Sequence, residues 1–365
     1  MSNEKRKKKV LMYYSCSTAI GGPLTYINTI INSNLSEEYD FTTCFQEMAP
    51  KGINIKLMIN MIRKIKLEHP DIVHVHGLQS EGFYGALAAR MAGCKNVLMT
   101  VHGFAFDSRS SMLFKRILYR YFVEPLTIRL SSKIYTVCDY AAKRKIMVHH
   151  AKNNNCGCIH NTVSKMNINE DADKIKRKLN INQNEIVFAI AARVTQEKGF
   201  DVLAKAIKIM NSEYTNKFKM LVMGDGAYYE EFVAEMKAEI GDGQVIMIGQ
   251  TEHVEDYLNV SDVFVLPSYH ENFPIALLEA GKMGLPCITS AVGGVPEMII
   301  DGKTGFLITN NDPKQYARKM NELIVNRTLL NEMKENILLD MEERFSLSEM
   351  CKKIGEIYEC MENML

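Results

Sequence analysis

One acidic and two basic side chains stand where predicted buried strands give way to loops. Glu271 follows the apolar run 263–266, which has the pattern of a fully buried strand. Arg193 and Lys198 follow a second apolar run at 186–192. Arg offers a planar fork of donors and Lys a compact charge, and both suit phosphate. The pattern therefore predicts a phosphate-binding site with a carboxylate beside it.

A helix is predicted directly after the loop that carries Glu271. Pro274 suits the first turn of this helix, because its missing N–H would be unpaired there. Ile275 and Leu278 keep helical spacing, and Glu279 lies more than one turn further in. The N–H groups of a helix start favour an anion, and ligands of open α/β sheets bind at the carboxyl ends of strands. Both arguments predict ligand binding at this loop.

Short apolar strands alternate with helical stretches along the chain, which indicates an α/β fold with doubly wound parallel sheets. With 365 residues and 47% apolar content, the chain is long enough for two domains with separate cores. Strands are predicted near 10–14, 41–44, 72–76, 97–101, 134–137, 186–190, 219–223, 245–248, 263–266 and 286–289. Helices of the first half are predicted near 24–34, 53–67, 82–92, 112–130 and 139–149.

The stretch from Glu271 onward resembles the retaining glycosyltransferases of family 4. Their signature is two glutamates with seven residues between them, followed by an alanine-rich helix, a Pro-containing strand and a Gly-Gly-x-x-Glu turn. Glu271 and Glu279 have this spacing. The strand segment at 284–289 and the turn Gly293-Gly-Val-Pro-Glu297 follow in the same order. Because the whole set is ordered, the resemblance is specific.

The resemblance implies the GT-B architecture, in which two doubly wound Rossmann-like domains face a deep interdomain cleft. The acceptor-binding domain is predicted at 1–165 and the nucleotide-sugar domain at 166–344. The segment 345–365 is predicted as a helix that crosses back to the first domain. Its apolar residues have helical spacing and must be buried against something.

The resemblance also implies roles for residues of the second domain. Arg193 and Lys198 would clasp the diphosphate of the donor, Glu271 would contact the transferred sugar, and Glu279 would bind the ribose. The remaining donor contacts are predicted along the helix start and at one glycine turn: Asn272, Phe273, Pro274, Ile275, Ala276 and Gly249.

Two features of the first domain are candidates for the acceptor side. Gly21 and Gly22 follow the first strand, and glycines let a backbone approach a ligand closely, although tight turns have the same sequence. The resemblance places this loop near the diphosphate and the acceptor. His102 ends a strand and resembles the active-site histidine that contacts the sugar. A hydrogen-bonded interior histidine is the alternative.

Three clusters contain residue types that bind metals. His74, His76 and His102 could hold zinc, but roles in the core and the cleft are favoured. The spacing of Cys156-Gly-Cys158 fits no standard zinc site. Asp171-Ala-Asp173 could bind Mn²⁺ or Mg²⁺, but helix capping is favoured. We expect no metal and no cofactor, since the nucleotide-diphospho-sugar is a substrate.

The net charge of +1 is unevenly divided. Residues 1–165 carry 23 Lys and Arg against 11 Asp and Glu, whereas the remainder carries 21 against 32. A basic half can meet an anionic surface, or two domains can simply attract each other. The segment 112–133 mixes aromatic residues with Arg and Lys, which is typical of a helix in a membrane interface or of an ordinary helix packed on a sheet. Membrane contact is slightly preferred, and nucleic acid is not expected because no recognised module is visible.

Cysteine usage and hydropathy bear on the compartment. The nine cysteines are scattered and odd in number, which argues against a disulfide framework and for a reducing cytoplasm. No run of about 18 apolar residues is present, and the basic start lacks an apolar signal core. We expect a cytoplasmic protein at the inner face of the cell membrane.

The sequence as a whole favours a retaining, metal-independent glycosyltransferase. It would move a hexose or N-acetylhexosamine from a nucleotide-diphospho-sugar, with UDP preferred, to a glycan or lipid-linked acceptor in cell-surface polysaccharide synthesis. Two alternatives stay open: a sugar-nucleotide epimerase on the same fold, and a non-catalytic subunit that binds a sugar nucleotide. The ordered Arg-Lys and Glu-Glu pairs disfavour both.

Overall fold

The computed structural model describes residues 6–15, 22–46, 54–107, 112–214, 217–240 and 243–363. The chain divides into two compact units. The first comprises Met1–Thr162 with Leu347–Leu365, and the second comprises Val163–Ser346. Each unit is built on one six-stranded sheet, so the predicted α/β class with two doubly wound sheets is confirmed.

The first sheet consists of β1 (Lys8–Ser15), β2 (Tyr39–Gln46), β3 (Ile72–His76), β4 (Val97–Val101), β5 (Lys133–Thr136) and β6 (Asn155–Cys158). All pairings are parallel, in the order β2-β1-β3-β4-β5-β6. Every residue of β3 and of β4 is buried, as expected for strands covered on both faces. The sequence did not predict β6, because its four residues include no β-branched or large apolar side chain.

The helices of the first unit begin with α1 (Gly22–Ile31), α2 (Leu35–Glu38), α3 (Ile55–Glu68) and α4 (Ser80–Met91). They continue with α5 (Leu113–Leu118), α6 (Glu124–Leu130), α7 (Asp139–Ala142) and α8 (Lys145–His150). The prediction of one continuous helix near 139–149 is wrong, since α7 and α8 are separate there.

The helix predicted near 112–130 is also interrupted. A π-helical turn at Tyr119–Val123 joins α5 to α6. Pro125 has no N–H to donate to the carbonyl four residues before it, so a regular ladder cannot continue through it. The N–H of Glu124 instead bonds to the carbonyl of Tyr119, five residues back. The prediction of an unbroken helix is therefore wrong, and such wide turns often lie near functional sites.

The second sheet consists of β7 (Ile186–Ala191), β8 (Phe218–Met223), β9 (Val245–Gly249), β10 (Val263–Leu266), β11 (Cys287–Ser290) and β12 (Gly305–Ile308). The order is β12-β11-β10-β7-β8-β9, and all pairings are parallel. The chain builds outward from β7 and then returns to its other side with β10. The strand order therefore reverses between β7 and β10.

The helices of the second unit are α9 (Ala172–Lys178), α10 (Phe200–Glu213), α11 (Tyr229–Ile240), α12 (Val254–Asn259), α13 (Ile275–Lys282), α14 (Pro313–Val325) and α15 (Arg327–Arg344). Short 3₁₀ turns lie at Gln196–Lys198 and Val295–Glu297. The carboxylate of Asp171 accepts the N–H of Lys174 at 3.0 Å at the start of α9. The prediction that Asp171 caps a helix is confirmed.

The last helix, α16 (Leu347–Glu362), contributes to the core of the first unit. Its predicted apolar stripe is buried, as the helical spacing indicated. The buried residues of this stripe are Met350, Ile354, Ile357, Tyr358 and Met361.

Candidate functional site

The reversal of strand order in the second unit brings two loops together. One follows β7 and carries Arg193 and Lys198, and the other follows β10 and carries Glu271. Parallel strands present their carboxyl ends at one edge of the sheet, and ligands bind where the order reverses. The structure thus places these predicted residues at the edge where a ligand is expected.

Gly199 allows the two loops to approach each other. Its φ of 76° lies in the left-handed region, and a Cβ there would collide with the carbonyl oxygen of Pro267. The N–H of Tyr269 also donates to the carbonyl of Glu197, at 3.0 Å. Only glycine combines this φ with so close an approach. Lys198 is therefore held against the loop that carries Glu271.

Lys198 and Glu271 form an ion pair at the centre of the site. The Nζ of Lys198 lies 2.6 Å from Oε1 of Glu271, and the two side chains are 21% and 9% exposed. The hydroxyl of Ser268 donates to the same carboxylate oxygen at 2.7 Å. Attraction between charges with so little exposure is stronger than at an open surface. A phosphate that reached Lys198 would compete with Glu271.

Contacts from more distant segments fix the loop of Glu271. Gly293, with a φ of 57°, packs so closely that a Cβ would collide with the carbonyl oxygen of Glu271. The side-chain amide of Asn311 donates to the carbonyl oxygens of Pro267 and Ser268, at 2.9 and 3.1 Å. The sequence indicated the glycine turn. The sequence did not indicate Asn311 or Ser268, because neither residue belongs to a motif and the local pattern does not show what their side chains contact.

Arg193 is exposed on the loop that also carries Lys198, and the backbone of this loop is fixed. Gly224 and Gly226 pack against the carbonyls of Ala192 and Val194, where a Cβ would collide. Within the described ranges, no hydrogen bond or ion pair engages the guanidinium of Arg193. The fixed loop thus exposes the guanidinium of Arg193, which forms no ion pair with the described residues and could bind an anionic ligand.

Glu279 lies in the second turn of α13 and is perturbed by its surroundings. Burial raises the pKa of its carboxyl to about 7, and the negative charge of Glu255 acts in the same direction. In the described part of the chain, no group donates a hydrogen bond to the side-chain carboxyl of Glu279. The carboxyl is therefore near half ionisation at neutral pH, and hydroxyl donors from a ligand would favour its ionised form.

The helix α13 offers mainly backbone groups at its start. The chain enters it only at Ile275, because the ψ of 124° at Pro274 is extended. The prediction that Pro274 lies in the first turn is wrong by one residue, and Pro274 is the N-cap. The side chains of Asn272, Phe273 and Ile275 are buried, and those of Pro274 and Ala276 are half-buried. The first N–H groups of a helix have no partner within it, so they are what this segment presents to a ligand.

Gly249 ends β9 beside the glycine turn that supports Arg193. Its carbonyl accepts the N–H of Gly224 at 2.8 Å, and its φ is 76°. A Cβ on Gly249 would meet nothing within 4 Å. The backbone is thus bare on this side, as a contact through backbone groups would require.

The predicted histidines of the first unit form a chain of rings, in which His74 and His76 are buried and His102 is half-buried. The Nδ1 of His76 lies 3.3 Å from the Nε2 of His102, and His76 stacks on His74 with centroids 4.4 Å apart. His74 Nδ1 bonds to the hydroxyl of Tyr358 at 2.8 Å, and its Nε2 bonds to that of Thr100 at 2.7 Å. With both nitrogens engaged, His74 has none left for the zinc site that was considered.

Burial keeps these imidazoles neutral. It lowers the pKa of His74 to about 3 and that of His102 to about 4, and it holds the pKa of His76 well below 6.5. At neutral pH, His102 is therefore uncharged and can form a hydrogen bond with a hydroxyl group as a neutral imidazole. Gly22 is the first residue of α1, and Gly21 lies outside the described residues.

Across the described ranges, no three His, Cys, Asp or Glu side chains are arranged to hold a metal ion. None of the helices in those ranges is long and apolar enough to cross a bilayer.

Two family models match the chain. Residues 171–338 match the model described as glycosyl transferases group 1, and residues 29–131 match the one described as glycosyl transferase 4-like. The first match includes Arg193, Lys198, Glu271 and Glu279, and the second includes His102. Both halves of the predicted resemblance are thus found independently.

Individual relatives agree with these matches. The UDP-Gal:alpha-D-GlcNAc-diphosphoundecaprenol alpha-1,3-galactosyltransferase of Escherichia coli is 28% identical over 84% of this chain and 79% of its own length. The capsular polysaccharide biosynthesis glycosyltransferase CapM of Staphylococcus aureus is 25% identical over 84% of this chain and 80% of its own. The crystal structure of Anabaena Alr3699/HepE in complex with UDP and glucose has a TM-score of 0.77 at 15% identity, covering 97% of this chain and 99% of that one. At this identity the structural likeness concerns the fold alone.

Proposed function

The chain belongs to the glycosyltransferases of family 4 and has their GT-B fold, and we propose that it moves a sugar from a nucleotide-diphospho-sugar to an acceptor. The proposed nucleotide is UDP, and the proposed sugar is a hexose or N-acetylhexosamine. Two similar proteins support UDP: the E. coli relative is named for UDP-Gal, and HepE was crystallised with UDP and glucose.

The observation that carries the proposal is the ion pair of Lys198 with Glu271 at the reversal of strand order. A donor diphosphate would take the ammonium of Lys198 away from Glu271. The carboxylate released in this exchange would be available to hydroxyls of the sugar. Binding of the diphosphate would then also free the carboxylate of Glu271 to contact the sugar.

Further groups are placed to hold the remainder of the donor. Arg193 and the start of α13 would join Lys198 on the diphosphate, where negative charge grows as the sugar leaves. Glu279 would accept hydrogen bonds from the ribose hydroxyls, and backbone groups at Gly249 would meet the base. Because positive groups of the protein supply the charge stabilisation, we propose that transfer needs no metal ion.

We propose that the anomeric configuration of the sugar is retained. Double displacement needs one carboxylate as nucleophile and another as acid. Glu279 is assigned to the ribose and Glu271 is paired with Lys198, so neither has that role here. In the proposed same-face substitution, the bond from C1 to the phosphate oxygen breaks and a bond from C1 to the acceptor oxygen forms. The acceptor's proton passes to the departing phosphate.

The acceptor is proposed to bind the first unit near Gly21, Gly22 and His102. A neutral His102 suits contact with sugar hydroxyls. The name of the E. coli relative includes a sugar on diphosphoundecaprenol, and CapM is named for capsular polysaccharide. We therefore propose a glycan or lipid-linked acceptor in polysaccharide synthesis. The protein would work in the cytoplasm, at the inner face of an anionic membrane.

Proton NMR of the reaction, run in EDTA, tests this proposal. A panel of UDP-sugars is incubated with the protein and a lipid-diphosphate-linked N-acetylglucosamine. The account expects a new glycosidic signal with the donor's α configuration, which Glu271→Gln abolishes while the exposed Glu230→Gln does not. A β product would contradict retention. An epimerised sugar nucleotide formed without acceptor would indicate an epimerase, and UDP binding without turnover on any acceptor would indicate a non-catalytic subunit.

A further inference from the structure

An apolar face is exposed on the first unit around the π-helical turn. Of the twenty large apolar side chains exposed among the described residues, eight lie within residues 112–126. We call these eight the apolar face: Met112, Leu113, Phe114, Ile117, Leu118, Tyr121, Phe122 and Leu126. Scattered exposed apolar residues are ordinary, but so dense a group marks a contact surface.

The helix α5 does not pack on the sheet as an ordinary surface helix would. None of its residues is buried. Phe114, Leu118, Phe122 and Leu126 follow one another at intervals of four residues and are 77%, 42%, 67% and 46% exposed. Side chains at this interval lie near one another on a regular helix, although the π-helical turn interrupts the run after Leu118. Because all four side chains are exposed, they form an outward ridge and not the inner side of a packed helix.

A basic pocket adjoins the ridge. It is an open cavity of about 630 Å³, and it shares Arg120, Tyr121 and Pro125 with the segment of the apolar face. None of the nine described residues that line it is acidic. Its basic lining residues are Arg120, Lys143, Lys145, His149 and His150.

The positive charge of this pocket is only partly balanced. The pKa of His150 is lowered, first by burial and then by the neighbouring charges of His149, Arg129 and Arg120. One buried guanidinium nitrogen of Arg120 has no hydrogen-bond partner among the described residues. The nearby Glu124 is itself half neutral, since burial raises its pKa to about 7. An anion in the pocket would relieve this mutual repulsion.

We propose that the apolar face inserts into the surface layer of an anionic phospholipid bilayer while the basic pocket binds the phosphate of a lipid headgroup. Apolar side chains gain by entering the boundary of the acyl region, and basic side chains gain from the negative leaflet. The two features are adjacent, and a bilayer is the partner that presents acyl chains and phosphates side by side. The apolar face and the basic pocket would thus be the surface that makes the proposed membrane contact. This inference rests on the proposed function only for the location of the protein at a membrane.

Co-sedimentation of the full-length protein with vesicles tests the proposal. One set of vesicles is phosphatidylcholine alone, and the other contains roughly a third phosphatidylglycerol. We expect binding to the anionic vesicles, at least about tenfold weaker binding to the neutral ones, and release by salt. No binding to anionic vesicles at low salt would overturn the proposal.

Two double variants separate the ridge from the pocket. Phe114→Ser with Phe122→Ser should weaken binding to both kinds of vesicle by about tenfold. Lys143→Glu with Lys145→Glu should remove the preference for anionic lipid. The matched controls are equally exposed positions of the same unit: Leu67→Ser with Met91→Ser, and Arg63→Glu with Lys66→Glu. If the control variants lost vesicle binding equally, overall charge or hydrophobicity would explain the losses, and the assignment of the membrane contact to this ridge and this pocket would be overturned.

Insertion can be seen directly, because the chain contains no tryptophan. Phe122→Trp should show a blue-shifted emission with anionic vesicles, whereas Leu67→Trp should not.

Other outcomes would assign the two features differently. If the protein formed a dimer without lipid and Phe114→Ser broke that dimer, the ridge would be a protein interface. Binding of soluble glycerol phosphate to the pocket without binding to vesicles would assign it to a free phosphate. UDP binding without lipid is measured for every variant, so loss of vesicle binding alone leaves the donor proposal intact.

Discussion

The two units have sheets of equal size, but their strand order reverses at different places. In the first unit β1 lies between β2 and β3, and in the second β7 lies between β8 and β10. The loops at the second reversal come from positions about 70 residues apart, as the spacing of Lys198 and Glu271 shows. The first reversal lies between β1 and β3, which end at Ser15 and His76. Each reversal therefore joins two distant parts of the chain, and the units differ in the side chains that these parts carry.

The chemistry at the strand ends differs between the two units. In the first unit, buried histidines are neutral and bond to hydroxyls and to one another. In the second unit, an ion pair and an uncommitted guanidinium lie at the edge of the sheet. Charge stabilisation is thus concentrated in one unit, and the other offers neutral hydrogen bonding. This division suits a charged donor and an acceptor hydroxyl.

The largest effect is expected from breaking the ion pair. Lys198→Ala should lower kcat by about 10² to 10³, because the group that is proposed to bind the leaving diphosphate is lost. It should also lower stability by about 3 kcal/mol, since the carboxylate of Glu271 is left almost buried and unpaired. Thermal unfolding and initial rates give the two quantities. The exposed Lys205→Ala is the matched control and should change neither.

A second substitution decides whether the pair is only structural. Glu271→Gln in the Lys198→Ala background removes the stranded charge. The account expects stability to return and activity to stay low. Recovery of both would mean that the pair serves folding alone, and the contrast between the units would lose its functional meaning.

The next effect concerns the close approach of the loops. Gly199→Ala should cost about 3 kcal/mol, because a Cβ would strike the carbonyl of Pro267 at a left-handed φ. Gly302→Ala has a similar φ but open space, and it should cost only about 1 kcal/mol. Denaturant unfolding measures both. If both variants lost the same stability, the close approach of the Lys198 and Glu271 loops would not be required for folding.

Acid should affect the two units in opposite directions. The lowered pKa values of His74, His76 and His102 make the first unit lose stability as the pH falls through 6.5, because the unfolded chain then binds protons more readily. His74 alone contributes a loss of about 2 kcal/mol at about pH 5. The raised pKa values of Glu124 and Glu279, one in each unit, act in the opposite sense. Three histidines outweigh Glu124 in the first unit.

Hydrogen exchange, corrected for the intrinsic effect of pH, resolves the two units. Peptides of β3 should lose protection as the pH falls from about 7 to about 5, whereas peptides of β7 should keep theirs. Loss of protection in β7 before β3 would reverse the comparison.

The smallest predicted effect is a gain in stability. Glu279→Gln should raise the free energy of unfolding by about 2 kcal/mol above pH 7, because it removes a carboxyl that is costly to ionise. The gain should fade as the pH falls through 7 toward 4.5, and it should vanish below 4.5, where the wild-type carboxyl is protonated in both states. UDP affinity should fall by about tenfold, since a charged acceptor is lost. The exposed Glu230→Gln should show neither change, and a stabilised variant that binds UDP normally would remove Glu279 from the site.

The fold class was predictable from the sequence because both sheets are parallel and buried. Strands such as Val97–Val101 read as continuous apolar runs, and the helices between them as amphipathic stretches. The strands that were missed, Asn155–Cys158 and Gly305–Ile308, are short, and each contains a glycine, which weakens the strand pattern. The π-helical turn was also missed, because the effect of Pro125 depends on how the chain accommodates it.

The candidate site was predictable only in part. Motif spacing identified Lys198 and Glu271, but it did not reveal that they bond to each other. Ser268 and Asn311 carry no motif, and their contacts appear only once the loops are folded together. The raised pKa of Glu279 likewise depends on burial, which a single sequence does not report.

The central claim, that the second unit binds a nucleotide diphosphate through protein cations, is tested most directly by calorimetry. UDP, GDP and ADP are titrated in EDTA into the wild type, Arg193→Ala and the control Lys205→Ala. Arg193 is exposed and engages no described partner, so its removal should leave the fold intact. The account predicts that UDP binds to the wild type and the control and at least about tenfold more weakly to Arg193→Ala. Equal affinity in all three proteins, or no binding of any nucleotide, would contradict it.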